Sequence, residues 1–120
     1  MADMDGRRVL VVEDEAMIRF VMADEFEHAG CEVREAADGD EALTALTSED
    51  RFDLMVTDIR MPGFDGWTLA ERARLVRPDL PVLYVTGFSN VDPRPVPGSE
   101  VLAKPFSPKQ LLVVASRLVT

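Results

Sequence analysis

Short apolar runs alternate along the chain with longer segments whose apolar residues recur at helical spacing. The apolar runs predict five strands, at residues 7–12, 31–36, 52–57, 81–85 and 100–103. The intervening segments predict helices, the first over residues 16–29 with Ile18, Val21, Met22 and Ala29 on one face. Strands that alternate with helices favour an α/β fold, with a parallel sheet covered by helices on both faces.

Residues with known helix-end preferences mark the element boundaries. Asp38 is placed to cap the second helix, with Glu41 as its capping-box partner, and Asp65 opens the third. Ser107 is the predicted N-cap of the last helix, followed by Pro108 and Gln110. Prolines at 93, 95 and 97 exclude a regular helix in most of the segment between the fourth and fifth strands.

Composition narrows the class of protein. A chain of 120 residues with 47% hydrophobic residues favours one globular domain, residues 1–120. It contains no apolar stretch long enough to span a membrane and no secretion signal, and its single Cys31 fits a reducing cytoplasm. The net charge of −9 argues against direct binding of nucleic acid, because phosphate contacts need Lys and Arg.

Polar residues stand where four of the predicted strands end. They are Glu13 and Asp14 after the first strand, Asp58 after the third, Thr86 after the fourth and Lys104 after the fifth. A parallel sheet brings these ends to one rim, where ligands bind in such folds. Carboxylates that lie close together resist full ionisation unless a cation is bound among them, and their hard oxygen atoms suit Mg²⁺. The hydroxyl of Thr86 and the ammonium of Lys104 could then bind a phosphoryl group beside the ion. The set allows the Asp58 carboxylate to attack phosphorus. Taken singly, each residue has an ordinary structural interpretation, and only their co-occurrence favours chemistry.

The whole chain resembles the receiver domain of two-component response regulators. The resemblance rests on the acidic pair, on Asp58 followed by Met61-Pro62-Gly63, on Thr86, and on Lys104-Pro105-Phe106, in that order. It implies a flavodoxin-like (βα)5 doubly wound sheet of strand order 2-1-3-4-5, here with the fourth helix shortened or missing. It also implies a cis Lys104–Pro105 peptide.

The resemblance assigns a role to each site residue. Asp58 is the phosphoacceptor, Thr86 binds the phosphoryl group and Lys104 pairs with it. Around the Mg²⁺ ion, Asp14 and Asp58 are direct ligands, the backbone carbonyl of Arg60 is a further ligand, and Glu13 acts through water.

The segment Thr86-Gly87-Phe88 resembles a subgroup of receivers that are stand-alone or belong to hybrid histidine kinases. The aromatic switch residue of many receivers is replaced by Val101, so the usual coupling of Thr86 to output is in question. Arg60 and Phe88, two positions after Asp58 and Thr86, are candidates to control the access of hydrolytic water.

The sequence therefore predicts a cytoplasmic phosphoacceptor that is not an enzyme. Its expected partners are a histidine kinase or histidine phosphotransfer protein and a downstream protein, with no nucleic acid, no membrane and no dimer. A stand-alone regulator is slightly favoured by the short segment before the first strand. The alternatives are a receiver excised from a hybrid kinase and a pseudo-receiver that binds partners without phosphorylation. An aspartate phosphatase is a third alternative. Such enzymes usually have a second acid two residues after the nucleophile, where this chain has Arg60. A flavodoxin-like electron carrier lacks convincing flavin-binding loops.

Overall fold

The computed structural model describes residues 4–87 and 93–120, which form five strands and four helices. In chain order these are β1 (Arg8–Val12), α1 (Ala16–His28), β2 (Glu32–Ala36), α2 (Gly39–Leu46), β3 (Leu54–Asp58), α3 (Gly66–Val76), β4 (Val82–Thr86), β5 (Glu100–Ala103) and α4 (Pro108–Val119). No helix among the described residues has the length and apolar character needed to cross a membrane.

The strands form one parallel sheet in the order β2-β1-β3-β4-β5, as expected from the sequence. The register pairs Val12 with Thr57 and Asp58 with Val85. The carboxyl ends of neighbouring strands therefore meet at the same edge, and the residues that end or follow the strands are brought together there.

The sheet separates two apolar clusters, because successive side chains of a strand point to opposite faces. Leu10, Met55 and Tyr84 lie in the cluster that includes the buried residues of α2 and α3. Val9, Val11, Val56 and Val85 lie in the other cluster, with Phe26 of α1 and Leu111 of α4. Helices thus cover both faces, which confirms the doubly wound arrangement.

The predicted apolar face of α1 is wrong in one respect. Val21 is 53% exposed, whereas Met22, Ala23 and Phe26 are buried. Apolar residues lie on two sides of this helix, and the side that meets the sheet is the one that carries Phe26. Spacing alone does not distinguish the two sides.

The helix caps follow the sequence prediction with one difference. Ser107 and Gln110 form the complete capping box of α4, and the Asp38 carboxylate accepts a hydrogen bond from the Glu41 amide at 2.9 Å. The Glu41 carboxylate, however, accepts from the amide of Ala37, not of Asp38. Both acidic side chains still occupy the N-terminal end of α2, where the helix dipole favours them.

The described part of the connection between β4 and β5, residues 93–99, contains no helix, as the three prolines predict. Contacts of Arg94, Val96 and Pro97 hold it against the body of the domain. Arg94 pairs with Glu71 at 3.2 Å, the Val96 amide donates to the Tyr84 hydroxyl at 3.2 Å, and Arg74 donates to the carbonyl of Pro97 at 2.9 Å. Val96 is buried and belongs to the cluster of Tyr84.

Candidate functional site

Three carboxylates meet at the carboxyl edge of the sheet. Glu13, Asp14 and Asp58 each offer an oxygen atom, and these atoms lie within 4.8 Å of one another. Glu13 extends β1 by one residue, since its amide donates to the carbonyl of Ala36 on β2 at 3.1 Å. Its side chain is only 1% exposed, whereas Asp14 is exposed. These three residues are called the acidic trio below.

Lys104 supplies the positive charge that faces the acidic trio. Its Nζ lies 3.1 Å from Glu13 Oε1 and 3.3 Å from Asp58 Oδ2. The Lys104 amide also donates to the carbonyl of Thr86 at 2.7 Å, which fixes the residue after β5 against the end of β4. One ammonium group thus bridges residues from β1 and β3.

The electrostatics of the site reflect three acids and one cation. Burial and the neighbouring Asp58 raise the pKa of Glu13 to about 7, although Lys104 opposes the shift. Burial by itself lowers the pKa of Lys104, but its contacts with Glu13 and Asp58 outweigh this effect and raise the pKa. The ammonium therefore stays charged, and the acids carry more negative charge than it can balance.

Asp58 is held at the last position of β3 by contacts on both sides. Its Oδ1 accepts a hydrogen bond from the Ile59 amide at 2.7 Å, while Oδ2 faces Lys104. The start of α3 approaches its backbone closely at Gly66, whose amide donates to the carbonyl of Ile59 at 2.7 Å. A Cβ atom at Gly66 would collide with the carbonyl oxygen of Asp58, so only glycine fits here.

The other predicted site residues lie close to this edge. Thr86 is the last residue of β4, the strand next to β3, and is 6% exposed. Arg60 is exposed and lines an open groove together with Asp14, residues 61–65 and Thr68. Phe88, the other proposed gate for water, lies outside the described residues. The Lys104–Pro105 peptide is cis, as expected.

The donor set fits a magnesium ion. Carboxylate oxygens are hard ligands, and Mg²⁺ binds in proteins through one or two carboxylates together with water and phosphoryl oxygens. The exposed Asp14 and the open groove beside it leave room for such additional ligands. The excess negative charge of the acidic trio would be offset by a divalent cation.

Residues 9–116 match the family model of the response regulator receiver domain. The chain belongs to this family. The receiver fold explains why the sheet order, the strand-end acids and the lysine after β5 occur together. The chain is 36% identical to the response regulator receiver protein CpdR of Brucella abortus over 110 residues, which are 88% of this chain and 91% of CpdR.

Other relatives are longer. The chain is 36% identical to the probable transcriptional regulator ycf27 of Porphyridium aerugineum over 113 residues, 90% of this chain but 46% of the regulator. The chain thus spans about half the length of the ycf27 regulators that it matches. What those regulators do as whole proteins does not carry over to a receiver domain.

Solved structures agree with the family. The receiver protein from Sinorhizobium medicae has a TM-score of 0.89 and 32% identity, with 97% of this chain and 96% of that chain covered. The receiver domain of the hybrid histidine kinase CckA has a TM-score of 0.83, 36% identity and coverages of 94% and 99%. TrrA from Thermotoga maritima, solved in complex with Mg²⁺ and BeF, has a TM-score of 0.82, 30% identity and coverages of 93% and 98%.

Two contacts around the receiver site were not predicted from the sequence. Gly66 gave no signal beyond its place after Asp65, because its importance depends on a backbone from another element. Arg19 donates to the carbonyl of Glu13 at 2.8 Å. Its only sequence signal is a cation in the first turns of a helix that follows an acidic run, a position that the helix dipole disfavours.

Proposed function

We propose that this receiver domain accepts a phosphoryl group on Asp58 from a histidine kinase or a histidine phosphotransfer protein, in a reaction that requires Mg²⁺. The single observation that carries the proposal is the pairing of Asp58 with Lys104 at 3.3 Å beside two further carboxylates. Such a pairing places a nucleophilic carboxylate beside a cation that faces the position where charge develops.

The transfer follows from this arrangement. The Asp58 carboxylate attacks the phosphorus atom, an O–P bond forms, and the P–N bond to the donor imidazole breaks. The electron pair of the P–N bond stays on the imidazole ring. The ring leaves as neutral imidazole if its other nitrogen is protonated, and otherwise it becomes neutral by taking up a proton from solvent. Lys104 and the Thr86 hydroxyl bind oxygens of the transferred group. Asp14, Asp58 and the carbonyl of Arg60 would hold the Mg²⁺, with Glu13 acting through water. When bound, the ion would offset the charge on the phosphoryl oxygens.

The product is an acyl phosphate held by the protein itself, so the domain acts as a stoichiometric phosphoacceptor and not as an enzyme with an external product. The output is a changed surface that a downstream protein partner recognises. We propose that residues 1–120 form one such domain, which acts as a monomer. The likeness to the CckA receiver supports the alternative that the same domain works within a hybrid kinase.

Labelling by a small phosphodonor tests the proposal. Wild-type protein should be labelled or should bind beryllofluoride only when Mg²⁺ is present, and Asp58→Asn should remove the label. Asp53→Asn is the matched control, because Asp53 precedes the same strand at its other end, where it accepts a hydrogen bond from the Arg8 amide. Labelling that persists in Asp58→Asn would overturn the assignment of the phosphoacceptor, and no labelling of the wild type would favour a pseudo-receiver.

A further inference from the structure

The segment that carries two of the three site carboxylates is short of ordinary anchors. Glu13, Asp14 and Glu15 are consecutive acids between β1 and α1, and they repel one another. Glu15 occupies the N-cap position of α1, but its side chain makes no hydrogen bond to a helical amide. The Asp14 amide donates to Glu13 Oε2 at 3.0 Å, which is a contact within the same segment.

Arg19, in the first turns of α1, donates a hydrogen bond to the backbone of this segment. Its Nη1 donates to the carbonyl oxygen of Glu13 at 2.8 Å. The same guanidinium donates through Nε to Glu35 Oε1 of β2 at 3.2 Å, and only 20% of its side chain is exposed. A guanidinium is a planar donor group with several N–H bonds, so it holds two acceptors in a fixed relation.

The backbone of Glu13 is therefore held on both sides, and its carbonyl belongs to the peptide that joins Glu13 to Asp14. The Glu13 amide is bound by Ala36 of β2, and its carbonyl is bound by Arg19, which is itself tied to β2 through Glu35. The direction of the Asp14 side chain depends on the orientation of this peptide.

We infer that Arg19 is a positioning residue for the divalent cation, and that it acts by orienting the Glu13–Asp14 peptide. The inference rests on the proposed function, because it concerns the same Mg²⁺ site. In this inference Arg19 acts through the Glu13 carbonyl and is not itself a ligand of the ion. It keeps the exposed Asp14 carboxylate directed towards Asp58.

The direction in which the Mg²⁺ affinity changes when Arg19 is removed distinguishes a positioning role from a purely electrostatic one. Arg19→Ala removes a positive charge near a cation site, so Coulomb interactions alone would tighten Mg²⁺ binding. Loss of positioning would weaken it instead, by roughly 10-fold, as expected when a group that orients a metal ligand is removed. Titration calorimetry with Mg²⁺ on the full chain measures this dissociation constant without any phosphoryl transfer.

Arg77→Ala is the matched control. Arg77 also uses its guanidinium to bind backbone carbonyls, those of Leu46 and Ser48 at 3.0 Å each, at the ends of α2 and α3 away from the acidic trio. The free energy of unfolding in urea without metal is measured for every variant. We expect Arg77→Ala to lose stability and keep its Mg²⁺ affinity, and Arg19→Ala to lose affinity.

A further variant makes the test complete. Arg19→Lys keeps the charge and one donor, so it should recover part of the lost affinity. It also decides the question if Arg19→Ala does not fold, since weaker binding than the wild type supports positioning and equal binding overturns it. Tighter binding by Arg19→Ala, or equal loss in the Arg19 and Arg77 variants, also overturns the inference. If the wild type binds no Mg²⁺, or if Asp58→Asn binds it equally well, the proposed site itself fails.

Discussion

The hydroxyl oxygen of Tyr84 accepts a hydrogen bond from the backbone N–H of Val96 at 3.2 Å. Tyr84 is fully buried, stacks its ring at a tilt on Trp67 with 4.4 Å between centroids, and lies two residues before Thr86 on the same face of β4. It also pairs in register with Val101, the position at which many receivers carry an aromatic switch. A buried tyrosine therefore links the strand of Thr86 to residues 93–99, the described part of the connection to β5.

Tyr84→Phe removes the acceptor of this bond and keeps the ring. We expect the free energy of unfolding to fall by about 1 kcal/mol, since the buried Val96 amide loses its partner. Hydrogen exchange of the Val96 amide should accelerate. Arg94→Ala, which breaks exposed ion pairs of the same segment, is the control and should cost less, about 0.5 kcal/mol. An unchanged Val96 exchange rate in Tyr84→Phe would contradict the assigned contact.

The stability of the metal-free protein should depend on pH through Glu13. Burial first, and then Asp58, raise the pKa of this carboxyl from 4.5 to about 7 in the folded protein. Between these pH values the folded protein keeps the Glu13 proton, whereas the unfolded chain loses it. Tighter proton binding stabilises the folded state, and this contribution is complete below pH 4.5. It should disappear as the pH rises through about 7, with a total effect of at most about 3 kcal/mol. Urea unfolding at a series of pH values measures it, and Glu13→Gln should flatten the profile. Parallel profiles for the two proteins would refute this prediction.

Mg²⁺ should stabilise the folded domain, because the folded state holds the acidic trio together and the unfolded chain does not. The expected gain is about 2.7 kcal/mol at a concentration 100 times the dissociation constant. The gain should be larger at pH 8 than at pH 5.5, since the ion competes with the proton on Glu13. Thermal unfolding with Mg²⁺ and with EDTA measures the effect. Asp58→Asn serves as the control, and an equal gain in that variant would place the ion elsewhere.

Lys104→Met should separate stability from metal affinity. The change leaves Glu13 and Asp58 without their ammonium partner, so the metal-free protein should lose about 2 kcal/mol at pH 8. The Mg²⁺ affinity should rise, because a positive charge beside the ion is gone. Calorimetry and urea unfolding give the two values, and Lys109→Met, at an exposed position of α4, is the control. A weaker Mg²⁺ affinity in Lys104→Met would show that the lysine supports the metal ligands directly.

Arg60→Ala should shorten the lifetime of the phosphorylated state. Arg60 is exposed at the groove that Asp14 also lines. We predict that its long side chain restricts the approach of water to Asp58. Loss of label is followed after the donor has been removed. Arg72→Ala is the control, because the Arg72 guanidinium lies over the ring of Phe64, 4.4 Å from its centroid, at the same loop. Equal lifetimes in all three proteins would exclude this role for Arg60.

Elements with a local chemical signal were predictable from the sequence. The Ser107 capping box and the loss of regular helix around Pro95 depend on neighbours within a few residues, and the structure confirms both. The buried face of α1 was not predictable, because Phe20 and Val21 on one side are as apolar as Met22 and Phe26 on the other. Only the position of the sheet decides between them.

The site divides in the same way. The clustering of Glu13, Asp14 and Asp58 could be expected, because residues that end parallel strands must share an edge. Two hydrogen bonds could not be expected, that from Arg19 to the Glu13 carbonyl and that from the Val96 amide to Tyr84. Each joins a side chain to a backbone group outside its own element. Such contacts depend on distances that no residue pattern encodes.

The bond from Lys104 to Glu13 spans 91 residues of the chain, and that from Lys104 to Asp58 spans 46. The counter-charge of the site thus comes from the residue after β5, which is an outer strand and the last of the five in chain order. A nascent or locally opened chain in which β5 has not docked lacks this cation at the site. If Asp58 is the phosphoacceptor as proposed, phosphorylation would therefore require the whole sheet to have assembled.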